Sequence, residues 1–141
     1  MDAVFRTDLT VPESAVDVNR HVNNVAYVQW MQDAATAHAA ATGCTSHTRA
    51  VHATWVARSH KIEYLAPAHA GDPIQVLTWV CDFRKVRSLR KYKFIRITDR
   101  VVLARGETVW VFVDIRSGRP RSAPPEILAL FQLLPPDCDP D

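Results

Sequence analysis

The sequence predicts an α+β domain of two layers, in which one long buried helix is wrapped by a curved antiparallel sheet of about five strands. Three observations predict it. A single segment, running from Asn23–Asn24 to just before Gly43, spaces its apolar residues at threes and fours, the step of a helix face. The segments on either side alternate apolar with polar residues, or are rich in Val, Trp and Phe, as strands are. The strand-like segments after the helix follow one another with short turns, and short turns pair consecutive strands antiparallel.

Taken in order, residues 3–10 form a first short strand. Val4, Arg6 and Asp8 alternate there with Phe5, Thr7 and Leu9, and Pro12 ends it. The polar loop Asp17-Val-Asn-Arg-His-Val-Asn-Asn24 follows. Asn23 and Asn24 are good N-cap residues, because their side-chain oxygens can accept the free N–H groups of a first helical turn. Beyond them Val25, Val28, Met31, Ala35 and Ala39 mark one face, and Trp30, Ala34, Ala37 and Ala41 make the other apolar too. A helix apolar nearly all round is expected to be buried. Gly43 suits the left-handed position that ends such a helix, and residues 44–51 read as polar loop.

Residues 53–66 are the next strand, closed by Pro67 and Gly71. Residues 74–83 and 89–98 are two more, and residues 101–115 the clearest, with Gly106 marking a bulge. Ser117-Gly118-Arg119-Pro120 is turn chemistry. Pro124-Pro125-Glu126 opens a short terminal helix through Leu133, and residues 135–141 are expected to fray. Residues 1–141 therefore read as a single domain without linker or repeat. The open edges of such a sheet make pairing with a second copy an expectation.

The 141 residues suffice for one core. A net charge of +2 carries no general attraction for nucleic acid or for a membrane surface. The opening residues, Met-Asp-Ala-Val-Phe-Arg-Thr-Asp, lack the apolar core of a signal peptide. The longest apolar runs, such as Val109 to Val113, are far too short to span a bilayer. Cys44, Cys81 and Cys138 are odd in number and scattered, which reads as reduced thiols in a cytoplasmic protein. His47, His52, His60 and His69 follow no metal-ligand spacing, so no metal is expected. No cofactor is implied either, because the chain has no Gly-rich phosphate loop, and it also lacks a G-x-S-x-G elbow. A nucleophilic Cys44 would need a partner base and a lowered pKa, and the sequence establishes neither.

The order of elements and the spacing Asp17-(nine residues)-Tyr27 resemble the hotdog-fold acyl-thioesterases of the 4-hydroxybenzoyl-CoA thioesterase type. In that type an Asp sits in the loop before the central helix, and Asp17 falls in register with it. The denser string Asp17-x-Asn19-x-His21-Val-Asn-Asn24-Val is similar to the catalytic region of plant acyl-ACP thioesterases. Ile62-Glu63-Tyr64-Leu65-Ala66-Pro67-Ala68, Gly71-Asp72 and Ser117-Gly118-Arg119-Pro120 resemble further hotdog signposts. The chain departs from the plant pattern in two ways. It has room for one hotdog repeat where those enzymes carry two. Pro67 and Ala68 stand where they use an acidic or thiol residue.

The resemblance implies an acyl-thioesterase acting on acyl-CoA or acyl-carrier-protein thioesters. It implies a homodimer or homotetramer with the active site at the dimer interface, and no nucleic-acid or membrane partner. Thioester hydrolysis needs a nucleophile or an activated water, a holder for the oxyanion and a thiolate leaving group. A carboxylate at Asp17 can attack the carbonyl or deprotonate a water that does; both roles stay open. Backbone N–H groups near Asn24 and Val25 would hold the oxyanion. Asn19 and His21 are candidates to orient water or Asp17, and Val25 and Tyr27 to meet the substrate. The plain alternative is that Asp17, Asn19 and Asn23 only cap and shape the loop.

The stretch Arg84 to Lys93 has six basic residues in ten. Arg84, Lys85, Arg87, Ser88 and Arg90 within it are candidates for holding the phosphates of coenzyme A or phosphopantetheine. A solvated hairpin is the competing reading, and no nucleic-acid motif accompanies the charge. Trp30, Trp55 and Trp79 read as core more than as an acyl pocket. Two rival functions keep the fold: a non-catalytic acyl-CoA binder or sensor, and a hydratase or dehydratase, which needs a differently placed His or acid pair.

Overall fold

In the computed structural model, which describes residues 2–141, the central helix α1 runs from Asn24 to Thr42. Asn23 sets its start by accepting the Val25 N–H on its side-chain oxygen at 2.8 Å. Gly43 sets its end in the left-handed conformation at φ 84°, which costs a residue without Cβ nothing. Only one stripe of α1 is buried: Tyr27, Met31, Ala34, Ala35, His38 and Thr42. The expected burial all round does not occur, since Val25 is 72% exposed and Ala40 and Ala41 are exposed as well. Alanine is the best helix former before it is a core residue, so a run of it announces helix without saying which side is packed.

The strands are β1 (Phe5–Thr10), β2 (Ala53–Tyr64), β3 (Pro73–Arg84), β4 (Arg87–Arg96) and β5 (Val102–Asp114). They form one sheet in the order β1-β3-β4-β5-β2, antiparallel at every step. The α+β class is as expected, and the arrangement is consistent with the hotdog fold. Neighbours in sequence are not neighbours throughout: β2 lies on the far edge against β5, and the 65–72 connection carries the chain back to β3. β1 and β2 are the two edges.

Three further expectations are corrected. Residues 44–51 are not loop; Cys44–Ala50 form a short helix, α2, that buries Cys44 and Thr48 one turn apart. The terminal helix α3 spans only Pro125–Leu128. Gly106 marks no bulge, because the register shifts fall at Ala57/Ser59, Val80/Asp82 and Phe94/Ile95. It makes room for α1 instead, since a Cβ there would stand 2.9 Å from the Met31 sulfur.

The face of the sheet toward α1 packs Met31, Ala34 and Ala35 against Ile74, Tyr92, Phe94 and Leu103. The opposite face carries Leu77, Trp79, Cys81 and Ile95, with Leu134 packed on them. Residues 135–141, expected to fray, run along this outer face. Leu134 N–H donates to the Val80 carbonyl at 3.0 Å, and Lys91 Nζ to the Pro136 carbonyl at 2.7 Å. Lys93 and Arg105 pair with Asp139 at 3.1 and 3.0 Å. No helix among the described residues is long and apolar enough to cross a membrane.

Candidate active site

Residues 16–22 make a tight loop closed by an antiparallel bridge between Val16 and Val22. Inside it Asp17 N–H donates to the His21 carbonyl at 2.9 Å, and Arg20 N–H to the Asp17 carbonyl at 3.0 Å. Two bonds tie the loop down: Val22 N–H to the Ala68 carbonyl at 2.8 Å and Asn23 N–H to the Ala15 carbonyl at 2.7 Å. Asp17 Oδ1 accepts the Asn19 N–H at 2.9 Å and, more weakly, the His21 N–H at 3.4 Å. The first of these is an Asx turn, in which the side chain copies a backbone turn. Oδ2 has no hydrogen-bond partner among the described residues. One oxygen of the carboxylate is thus anchored to the loop, and the other is free of the described residues.

The other candidates of the loop are spread over this end of α1. The side chains of Asn19, His21, Asn24 and Val25 are exposed. Of the two N–H groups expected to hold an oxyanion, that of Val25 is taken by the Asn23 cap. That of Asn24 has no partner among the described residues. Tyr27 is buried and meets Trp30, Tyr64 and Phe94 edge-on. Burial pushes its hydroxyl up to about 12, so it stands as a neutral phenol in the core.

Three residues not singled out for this site join it. Tyr64 donates its hydroxyl to the Asn24 carbonyl at 3.3 Å. The His69 ring meets the His21 ring edge-on, with centroids 5.3 Å apart. Asp72 Oδ2 lies 3.7 Å from His69 Nδ1 and 3.3 Å from Arg96 Nη1. Tyr64 and Asp72 stood in the family signposts, but no local signal tied any of the three to this loop. Long-range bonds bring them here, including Val11 N–H to the Asp72 carbonyl at 3.0 Å.

The basic stretch is divided by the strand period. Arg84, Lys85 and Arg87 stand exposed at the tip of the β3–β4 hairpin, where Lys85 takes φ 56° and Arg84 Nε lies 3.3 Å from Asp82 Oδ2. Ser88 and Arg90 are buried; Ser88 donates to the Asp82 carbonyl at 3.0 Å. Alternation along β4 turns these two inward, so they do not share a surface with the tip cations. The tip is also remote from Asp17. β3 leaves the Asp72 end at Pro73 and reaches the tip at Arg84, roughly 36 Å of strand at the usual rise. One chain does not bring the two together. Among the described residues no three His, Cys, Asp or Glu side chains are grouped to hold a metal ion.

A family model described as the Thioesterase-like superfamily matches residues 11–131. The chain belongs to the Thioesterase-like superfamily. It is a thioester hydrolase with the hotdog fold. Solved structures share that fold with the thioesterase. A 1,4-dihydroxy-2-naphthoyl-CoA thioesterase from Synechocystis superposes with a TM-score of 0.80 at 17% identity, over 90% of this chain and 94% of its own. A mutant 4-hydroxybenzoyl-CoA thioesterase bound to 4-hydroxybenzoyl-CoA gives 0.83 at 14% identity, over 93% and 100%. The 12:0-ACP thioesterase from Umbellularia californica gives 0.83 at 21% identity, over 92% of this chain but 51% of its own, so this chain spans about half of the plant enzyme. No curated protein matches the sequence significantly.

Proposed function

We propose that this thioesterase hydrolyses acyl-CoA or acyl-carrier-protein thioesters with Asp17 as the reacting carboxylate. The observation that carries this is the half-anchored side chain: Oδ1 is held by the loop while Oδ2 is unpaired beside the start of α1. As a nucleophile, Oδ2 attacks the carbonyl carbon, the C–S bond breaks, the thiolate leaves and water hydrolyses the resulting anhydride. As a base, Asp17 takes a proton from the water that attacks. In either case negative charge develops on the carbonyl oxygen. The free N–H of Asn24, at the positive end of a 19-residue helix, is the donor available to it. A donor so placed is typically worth about 3 kcal/mol of barrier. His21, exposed beside Asp17, serves to orient water.

The enzyme acts as one domain per chain and as a homo-oligomer. β2 offers an unpaired edge with Val56, Tyr64 and, just beyond it, Leu65 exposed, and such an edge is a template for a second copy. Because strand length separates Arg84–Arg87 from Asp17 within one chain, a phosphate seat at the hairpin tip would serve the site of a partner. The decisive experiment compares thiol release by wild type, Asp17→Ala and Asp17→Asn on short, long and aromatic acyl-CoAs. Asparagine keeps an oxygen for the Asn19 N–H but loses the carboxylate. A loss of at least about a hundredfold in both variants, with substrate still bound, is expected. Normal turnover in Asp17→Asn would leave Asp17 a loop-shaping residue.

A further inference from the structure

A second feature lies at the other end of α1. A cavity of about 270 Å³ opens between the C-terminal half of α1, α2 and the hairpin end of the sheet. Ala35 and Ala39 line it, and helical rise puts them about 16–22 Å along α1 from Asn24. Its walls include Trp55, Phe83, Trp110 and Phe131, and into it reaches Arg90.

Arg90 is 5% exposed. Its Nη1 makes two bonds, to His38 Nδ1 at 2.9 Å and to Thr78 Oγ1 at 3.0 Å. Neither partner is an anion. Burial, reinforced by the charge of Arg90, pushes His38 down to about 4, so its ring is neutral and Nδ1 accepts. The guanidinium carbon lies 5.8 Å from the centre of the Phe131 ring. Among the described residues no carboxylate stands within ion-pair distance of Arg90. Its Nε and Nη2 make no hydrogen bond to the described residues. A guanidinium stays charged at any ordinary pH, and an unpaired charge held out of water is costly to keep. That cost is offset when an anion enters. A guanidinium fork matches a carboxylate or a phosphate in two parallel bonds. The aromatic walls and the one buried cation favour a carboxylate on an apolar body; the other cation of the lining, Arg49, is exposed. The volume sits at the small end of ligand pockets.

We propose that this cavity binds a compact apolar monocarboxylic acid, its carboxylate on the free edge of Arg90 and its body against Trp55, Phe83, Trp110 and Phe131. Acids of this chemistry are also what thioester hydrolysis releases, but the site is separate from Asp17 and does not depend on that residue's role. A carboxylate could also reach it as the far end of a dicarboxylic acyl group.

The test titrates octanoate and benzoate, beside their uncharged amides, into the full-length protein, read by calorimetry and by the fluorescence of the cavity tryptophans. Each acid is expected to bind at least tenfold more tightly than its amide. Arg90→Met removes the charge while keeping an apolar chain in place, and should erase that preference. Ala39→Leu fills the cavity while leaving Arg90 intact, and should weaken acid and amide alike. Equal affinity for acid and amide in the wild type, acid binding unchanged in both variants, or no binding of either acid at millimolar concentration overturns the proposal. Hydrolysis of an ω-carboxyacyl-CoA beside its unsubstituted twin separates the sources. A fall in kcat/KM for the ω-carboxy ester alone in Arg90→Met assigns the carboxylate to a substrate's far end; equal values for both esters assign it to a free acid.

Discussion

Replacing Gly106 with alanine should push α1 off its seat on the sheet. A Cβ at this position would stand 2.9 Å from the Met31 sulfur, 3.1 Å from its terminal methyl carbon and 3.5 Å from the Lys61 carbonyl oxygen. Relaxed carbon contacts lie near about 3.5–4.0 Å, so the end of Met31 must retreat by several tenths of an ångström. It has no open space to enter, because Met31 is 0% exposed and shares its cluster with Tyr92, Phe94 and Leu103. Overpacking of this kind costs about 1–3 kcal/mol. The flexible thioether can absorb part of it, which puts the expected loss at about 1–2 kcal/mol. Urea unfolding should show a lower midpoint at an unchanged slope. Met31→Ala alone opens a hole and should cost about 2–5 kcal/mol. Combined with Gly106→Ala it should cost less than the sum by about 1 kcal/mol or more, since the new methyl enters the space the methionine left. Wild-type stability in Gly106→Ala, or strict additivity in the double mutant, would refute the claim that this glycine exists to admit Met31.

Three further outcomes are expected. Arg87→Glu should raise KM for CoA esters with kcat little changed in the thiol-release assay; an unchanged KM makes the hairpin tip a solvated turn. Asp139→Ala leaves Lys93, 3% exposed, with the Pro140 carbonyl at 3.1 Å and Asp141 at 4.0 Å. After allowance for the exposure of Asp139 itself, this should cost about 1–2 kcal/mol in urea unfolding, whereas Lys93→Met should be nearly neutral; the opposite ranking would show that the tail is not held by this pair. The hydrogen bond from Lys93 holds the Asp139 carboxyl below its ordinary value. Its contribution is therefore complete above about pH 4 and is lost as pH falls through the folded value, so stability of wild type and Asp139→Asn should converge in acid. Finally, Cys138 is half-exposed while Cys44 and Cys81 are buried, and burial pushes the Cys81 thiol up to about 11. A thiol-reactive disulfide reagent should modify one cysteine quickly and the other two only on unfolding; three equally fast thiols would contradict the packing.

The loop before α1 was the most legible part of the chain. Asn23 and Gly43 bound α1 as their cap chemistry predicts, because a cap acts within a few residues and its signal is local. The place of Asp17 in a loop before that helix followed from the same reading. His69 and Asp72 could not be read in this way. They lie some fifty residues on in the chain, and only the bonds from Val11 and Val22 to the 68–72 segment put them beside His21. The two N–H groups expected to face an oxyanion looked equivalent in sequence. They differ because the Asn23 side chain claims one of them.

By itself the sequence determined the class of the domain, the span of its central helix, the strand-forming segments and the loop that carries Asp17. All of these depend on periodicity and capping, which act over a few residues. Tertiary structure alone decided the rest. It set β2 on the far edge of the sheet, because a strand's pattern does not name its partner. It docked residues 135–141 on the outer face, because a short Pro- and Asp-rich tail reads as solvated until Lys93 and Arg105 supply its partners. It split the basic stretch, leaving Arg84, Lys85 and Arg87 in water and enclosing Arg90 beside His38. Charge in a strand ordinarily means an exposed face. Alternation shows that a strand has two faces, and only what packs above each of them, α1 on one and the chain from Leu134 on the other, determines which side chains are buried.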